Sequence, residues 1–326
     1  MTWPVGAVLA IGLFLIAPYA VPRSAVRPSA GIAMWITVLG LRAAVCATAV
    51  SASALYLPST APFQAASGWC VHAVVPFFAR HFGLSGHALG DAASFVPAAV
   101  LLILAISAAL GALKALRAAA LWLGQNTVGS GPSKSVIVGD AEVIVATAGI
   151  RNPKVIVSAG ALLDLDDAEL EAGLFHEWGH VRRGHRVLTL ASVACLAASR
   201  LLPGGRRASE ELQFHLERDA DEYAVSRTGD RLALASAICK TAAGGAMTHT
   251  PLAVASLTGA NTAERLKLLL GLHEGPRQNR RYDAFVSVLF AGALTAVGAL
   301  LILLPELIVA SAAQAYASID QLKNCF

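Results

Sequence analysis

The sequence predicts a mainly α-helical membrane protein: four transmembrane helices with a cytoplasmic α+β domain, built on a small β-sheet, between the third and fourth. Three observations predict it. The 326-residue chain is 56% hydrophobic and only 14% charged, with a mean hydropathy of +0.61, too apolar for an ordinary soluble protein. Its apolar residues cluster into four stretches near the roughly 20 residues that cross a bilayer as a helix. The long region between the last two carries balanced charge, 15 Lys+Arg against 17 Asp+Glu between residues 125 and 275.

The first stretch, residues 3–21, has no basic residue before it, while Arg23 and Arg27 follow. A signal peptide has the opposite order, so a retained span with its N-terminus outside is expected, although Ala17-Pro18-Tyr19-Ala20 loosely resembles a cleavage site. The second, 31–57, holds Arg42 near its middle. Two readings of that arginine stand: a polar contact inside the helix bundle, with a relay role, or snorkelling to the cytoplasmic headgroups. The third is 92–113 and the fourth 284–304. Lys114 and Arg117 follow the third; Arg277, Arg280 and Arg281 precede the fourth. The loop 58–91 has only Arg80 and Asp91 as charges, and the tail only Glu306, Asp320 and Lys323. Positive charge marks the cytoplasmic side. The expected protein is therefore multi-pass in the cell membrane, with both termini extracytoplasmic. Its parts are residues 1–118 (three spans and an outer loop), 119–281 (the cytoplasmic domain) and 282–326 (the fourth span and tail).

The five cysteines, at 46, 70, 195, 239 and 325, form no C-x-x-C pair, which excludes a zinc ribbon. Cys70 and Cys325 both fall outside in this topology, and a disulfide or two free thiols are both open. His72, His81 and His87 in the outer loop are too irregularly spaced to suggest a metal site. No basic patch or aromatic-interleaved strand array points to direct nucleic-acid binding.

Within the cytoplasmic domain, residues 121–133 read as a Gly/Ser/Pro-containing linker. Three β-branched runs follow, at 135–138, 142–147 and 154–158, separated by turn signals. The sheet they imply either offers an edge strand to an extended peptide or is purely structural. Residues 166–185 read as a helix with an acidic first turn. It carries His176-Glu177-Trp178-Gly179-His180, the H-E-x-x-H pattern. Residues four apart share a helix face, so both imidazoles can reach one metal, and Glu177 stands beside the open position as general base. Residues 186–202 form a short apolar helix, in the core or against the membrane, and Pro203-Gly204-Gly205 breaks it. Arg182, Arg183 and Arg186 read as a membrane-facing or solvated face.

The next helix, 210–224, places Glu217 and Asp221 four apart, with Ala220 and Ala224 small enough for close packing. Glu217 is read as third ligand and Asp221 as the carboxylate orienting a ligand histidine. Asp219 and Glu222 face away from that stripe. Tyr223, His215 and His185 are candidates for stabilising an oxyanion. Residues 231–274 read as closing helices, broken at Gly244-Gly245 and Gly259.

Pro153-Lys154-Val155-Ile156-Val157-Ser158, Phe175 to His180 and the E-x-x-x-D of Glu217–Asp221 together resemble a zincin-like membrane gluzincin. Two families are similar: the antirepressor peptidases of the beta-lactam sensor-transducers (BlaR/MecR type), and the CAAX-prenyl-protease and heat-shock membrane proteases. The three-plus-one span layout and Gly149-Ile150-Arg151-Asn152-Pro153 resemble the first. Gly184-His185 and Glu217-Arg218-Asp219-Ala220-Asp221 fit the second equally well. The resemblance implies a zinc-dependent endopeptidase with one Zn²⁺ per chain, held by His176, His180 and Glu217. Its substrate would be a cytoplasmic transcriptional repressor or the chain itself; membrane-protein quality control and non-catalytic signal transduction are the alternatives. Sensor-transducers carry a large ligand-binding domain after the fourth span. Here only a short tail follows, so the stimulus is expected to act through the 58–91 loop, the spans, a separate sensor protein or a homo-oligomer.

Overall fold

The computed structural model describes residues 11–56, 110, 126–132, 135–148, 153–200, 202–243, 255–256, 261–272, 281–288, 291–292 and 295. The outer loop, most of the third and fourth expected spans, and both Cys70 and Cys325 lie outside these residues. The chain divides into two compact units, Met1–Val45 with Lys114–Val297, and Cys46–Leu113 with Gly298–Phe326. Apart from residues 46–56, the architecture below belongs to the first, which is mostly helical around a small mixed sheet.

Five strands form the sheet: β1 (Thr127–Ser130), β2 (Val136–Val138), β3 (Val145–Ala148), β4 (Lys154–Ser158) and β5 (Ala255–Ser256), in the order β1-β2-β4-β3-β5. β2 and β4 are parallel and the other pairs antiparallel. β4 is apolar without alternation because Val155, Ile156 and Val157 are all buried, as a strand covered on both faces requires. The stretch expected to be a linker supplies β1. Gly131 N–H donates to Ser135 O at 2.8 Å and Ser135 N–H to Pro132 O at 2.9 Å, so the chain turns back on itself and Thr127–Ser130 pairs with β2. The far side of β3 does not stand open as an edge. β5 pairs there, Ala146 with Ser256 and Thr147 with Ala255.

Helix α1 (Pro28–Tyr56) precedes the sheet; α2 (Ala159–Asp164), α3 (Asp167–Arg182), α4 (His185–Ala198), α5 (Gly205–Thr228), α6 (Arg231–Ala243) and α7 (Thr262–Leu269) follow β4. A capping box starts α3, with Asp166 accepting from Glu169 N–H and Glu169 accepting from Asp166 N–H. Glu169 is also held by Lys240 at 2.6 Å and Ser236 at 2.5 Å, tying the start of α3 to α6. The helix was expected to run to 185 but ends at Arg182, because Gly184 is left-handed (φ +66°). α5 begins and ends on left-handed glycines, Gly204 and Gly229.

One core lies between the sheet, α3 and α6 and includes Val145, Val157, Leu174, Leu234 and Ile238. A second joins α1 to α5 through Met34, Trp35, Leu39, Leu212 and Leu216. Among the described helices, α1 alone is long and apolar enough to cross a membrane, over Pro28–Ala47, and half of that stretch is buried inside the protein. Arg42 is buried too, and its guanidinium donates to Leu202 O at 2.7 Å and Pro203 O at 2.8 Å. Of its two readings, the polar contact inside the bundle is the one observed: it caps the carbonyls where α4 gives way to α5. Further along the seam, Gly31 lies directly against the buried His215 ring. In α4, Val187, Leu190 and Val193 are exposed, one apolar face being left outside while the other packs on α5.

Candidate metal centre

α3 and α5 cross so closely that a Cβ on Gly179 would lie 3.2 Å from the Ala220 Cα. Both Ala220 and Ala224 are fully buried. This crossing brings the faces of the two helices together side chain to side chain. His176 Nε2 lies 3.2 Å from His180 Nε2; Glu217 places Oε2 3.5 Å from the first imidazole and Oε1 3.5 Å from the second. Tetrahedral ligands at about 2.0–2.1 Å from a zinc-sized ion are roughly 3.4 Å apart. The His176–His180 and His176–Glu217 separations are close to that spacing, and one ligand atom from each of the three residues lies within 4.8 Å of the others, so this buried group could hold a metal ion.

Glu177 is fully buried beside them. Its Oε2 accepts the Thr147 hydroxyl at 2.5 Å, while Oε1 has no hydrogen-bond partner among the described residues. An unpartnered buried carboxylate oxygen is costly, unless a water or substrate proton meets it. Burial pushes the Glu177 carboxyl up to about 7, against the pull of His176 and Thr147. At that value it can both take and return a proton near neutral pH.

Asp221 Oδ1 lies 2.9 Å from His176 Nδ1, the far nitrogen of that ring. Arg265, wholly buried on α7, grips Asp221 at 2.9 and 2.7 Å and reaches Glu217 at 2.7 Å. Burial would raise the Glu217 carboxyl, but Arg265 and the two histidines outweigh it and hold it at about 2. Asp221 is likewise held well below the carboxylate range, by Arg265 and His176 against its burial. His180 is pushed down to about 3 by burial, whereas Asp221 and Glu217 overcome burial at His176 and lift it to about 9. The site thus keeps two ionised carboxylates and draws a proton onto His176 when nothing else supplies positive charge there. That is the electrostatic pattern of a cation site.

The three residues considered for an oxyanion occupy different places. His185 lies with Nδ1 2.9 Å from His180 Nδ1 and Nε2 3.0 Å from Asp219 Oδ2, so both nitrogens are engaged within the protein. His215 and Glu217 are two residues apart and point to opposite sides of α5; His215 faces α1, with burial and the nearby Arg218 and Arg23 lowering it to about 3. Tyr223 packs on Gly179, its ring between the Arg183 and Arg227 guanidiniums at 5.6 and 5.3 Å. Asp219, expected to face away, also pairs with Arg183. Of the basic residues after the motif, Arg182 and Arg183 are exposed, as expected of a solvated face, though Arg183 also holds Asp219; Arg186 departs from it, half-buried within electrostatic range of Glu177.

Sequence reasoning missed Thr147 and Arg265. Thr147 sits in a β-branched run where a threonine needs no explanation. Arg265 lies in Thr262-Ala263-Glu264-Arg265-Leu266, which reads as an ordinary solvated helix start, and only the packing of α7 buries it.

Residues 127–253 match the model of Peptidase family M48, which indicates a metallopeptidase. The matched segment includes His176, Glu177, His180, Glu217 and Asp221; Arg265 lies beyond it. No curated protein matches the chain.

Proposed function

We propose that the chain is an integral-membrane zinc endopeptidase that cleaves a cytoplasmic protein, a transcriptional repressor or the chain itself, as an act of regulatory proteolysis. The observation that carries the enzymatic reading is the buried His176–His180–Glu217 triangle, with the free Oε1 of Glu177 beside it. Two imidazoles and one carboxylate suit Zn²⁺ better than hard, oxygen-seeking cations. His176, His180 and Glu217 would hold the ion, which supplies Lewis acidity to acidify a water and polarise the scissile carbonyl. Thr147 fixes one oxygen of Glu177, leaving Oε1 to take the water proton and return it to the leaving amine. Asp221 holds the His176 ring so that Nε2 faces the donors. Arg265 keeps both carboxylates in place and ionised.

The membrane reading is supported by α1 and by the charge asymmetry of the loops. The regulatory reading rests on the resemblance to antirepressor peptidases. Glu177→Gln keeps the shape of the site and removes the base. Zinc retained at one ion per chain with peptide hydrolysis lowered by at least about a thousandfold is the expected result. In cells, the same variant used as a trap should retain one DNA-binding protein or the uncut chain. A broad set of membrane proteins would instead mark a quality-control protease. An unchanged phenotype with zinc bound would leave a non-catalytic transducer.

A further inference from the structure

We propose that His185 and Asp219 are positioning residues that fix the tautomer and orientation of His180, forming a second orienting arm opposite the Asp221–His176 contact. The inference rests on the metallopeptidase reading above and assigns a role to residues that the reaction itself does not touch.

The geometry leaves little freedom. His180 directs Nε2 at the ligand triangle, 3.2 Å from His176 Nε2 and 3.5 Å from Glu217. Its other nitrogen, Nδ1, lies 2.9 Å from Nδ1 of His185. Two ring nitrogens at that distance need one donor and one acceptor. A neutral imidazole that gives its Nε2 lone pair to a metal carries its proton on Nδ1, so His180 donates. His185 then accepts at Nδ1 and carries its own proton on Nε2, which points at Asp219 Oδ2 from 3.0 Å. Asp219, acceptor-only when ionised, fixes the direction of the whole chain. Arg183 holds its other oxygen. His180, His185 and Asp219 are each at most 6% exposed, so water does not readily substitute for any of them.

The backbone is shaped for this contact. On an uninterrupted helix, a residue five positions after His180 would point roughly 140° away from it. Gly184, at φ +66°, ends α3 and restarts the chain as α4, and the turn swings His185 back beneath His180. The two ligand histidines of one motif are therefore oriented by different devices. His176 has a carboxylate directly on its far nitrogen, while His180 reaches its carboxylate through a second imidazole.

The test is Zn²⁺ affinity, measured by chelator competition on the full-length protein in detergent, together with the absorption spectrum of the Co²⁺-substituted form. His185→Ala should weaken Zn²⁺ binding about 10- to 100-fold and alter the Co²⁺ bands, with Glu177 untouched. His185→Gln can accept from His180 and donate to Asp219, and should restore most of the affinity; a role in packing alone would not separate Gln from Ala in this way. Asp219→Ala leaves the ring in place but frees it to turn over, and should cost about tenfold. Wild-type affinity in His185→Ala would overturn the proposal, and if that variant does not fold, wild-type affinity in Asp219→Ala does so. His176→Ala separates the two readings: if it too binds Zn²⁺ normally, the metal site itself is wrong.

Discussion

Thr147 shows how one hydroxyl can set the working range of the site. As the proposed general base, Glu177 must be ionised to accept a proton, so hydrolysis should be present above its pKa and lost as pH falls through it. Burial raises that carboxyl to about 7, and the Thr147 hydrogen bond opposes the rise by favouring the charged form. A bound dication draws it lower still, placing the acid limb of kcat/KM at or below pH 7. Thr147→Val removes the bond while keeping the shape. The limb should move up by about one unit, so the variant loses more activity at pH 6 than at pH 8.5; a parallel loss at all pH values would refute the role. Single-residue chemistry was legible in the sequence where it was local. The spacing of His176, Glu177 and His180 is a helical repeat, and so is that of Glu217 and Asp221. Thr147, Arg265 and the true place of His185 were not legible, because each depends on a contact made across elements or on a turn that reverses direction.

At the scale of elements, the α1–α5 seam is as tight as the α3–α5 crossing. A Cβ on Gly31 would overlap the His215 ring, which is fully buried and has nowhere to move, whereas one on Gly40 of the same helix meets nothing within 4 Å. Gly31→Ala should therefore destabilise by about 1–3 kcal/mol, despite the better helix propensity of alanine. Gly40→Ala should be neutral or slightly stabilising. Thermal melts of the two variants in the same detergent check this, and equal melts would remove the seam from the account. Element type was readable from periodicity: three strands and the two site helices stand near their expected residues. Boundaries and partners were not. β1 hides in a Gly/Ser/Pro-containing stretch because its pairing comes from a turn at Gly131–Pro132. β5 is two residues long, and pairing alone makes it a strand.

For the whole molecule, composition and clustering point to a helical membrane protein, and charge balance sets the catalytic region apart. Neither could say where that region stops, since its boundary is a matter of packing. The sequence suggests that it begins near residue 119, but Met34, Trp35 and Leu39 of α1 complete the core around Leu212 and Leu216, and Arg42 caps the entry to α5. A fragment spanning 119–281 should aggregate or show no cooperative melt. Co-expression with residues 1–56 should restore a folded, zinc-binding species, and a well-folded isolated fragment would contradict this. The same half-buried helix has a practical consequence. An ordinary membrane anchor can be stripped of lipid without disturbing the domain it tethers, but on the proposed membrane reading α1 would offer one face to lipid, while its other face packs into the hydrophobic core it shares with α5. Any solubilising agent strong enough to wet both faces acts as a denaturant of the active site, so the choice of detergent becomes a variable of catalysis as well as of extraction.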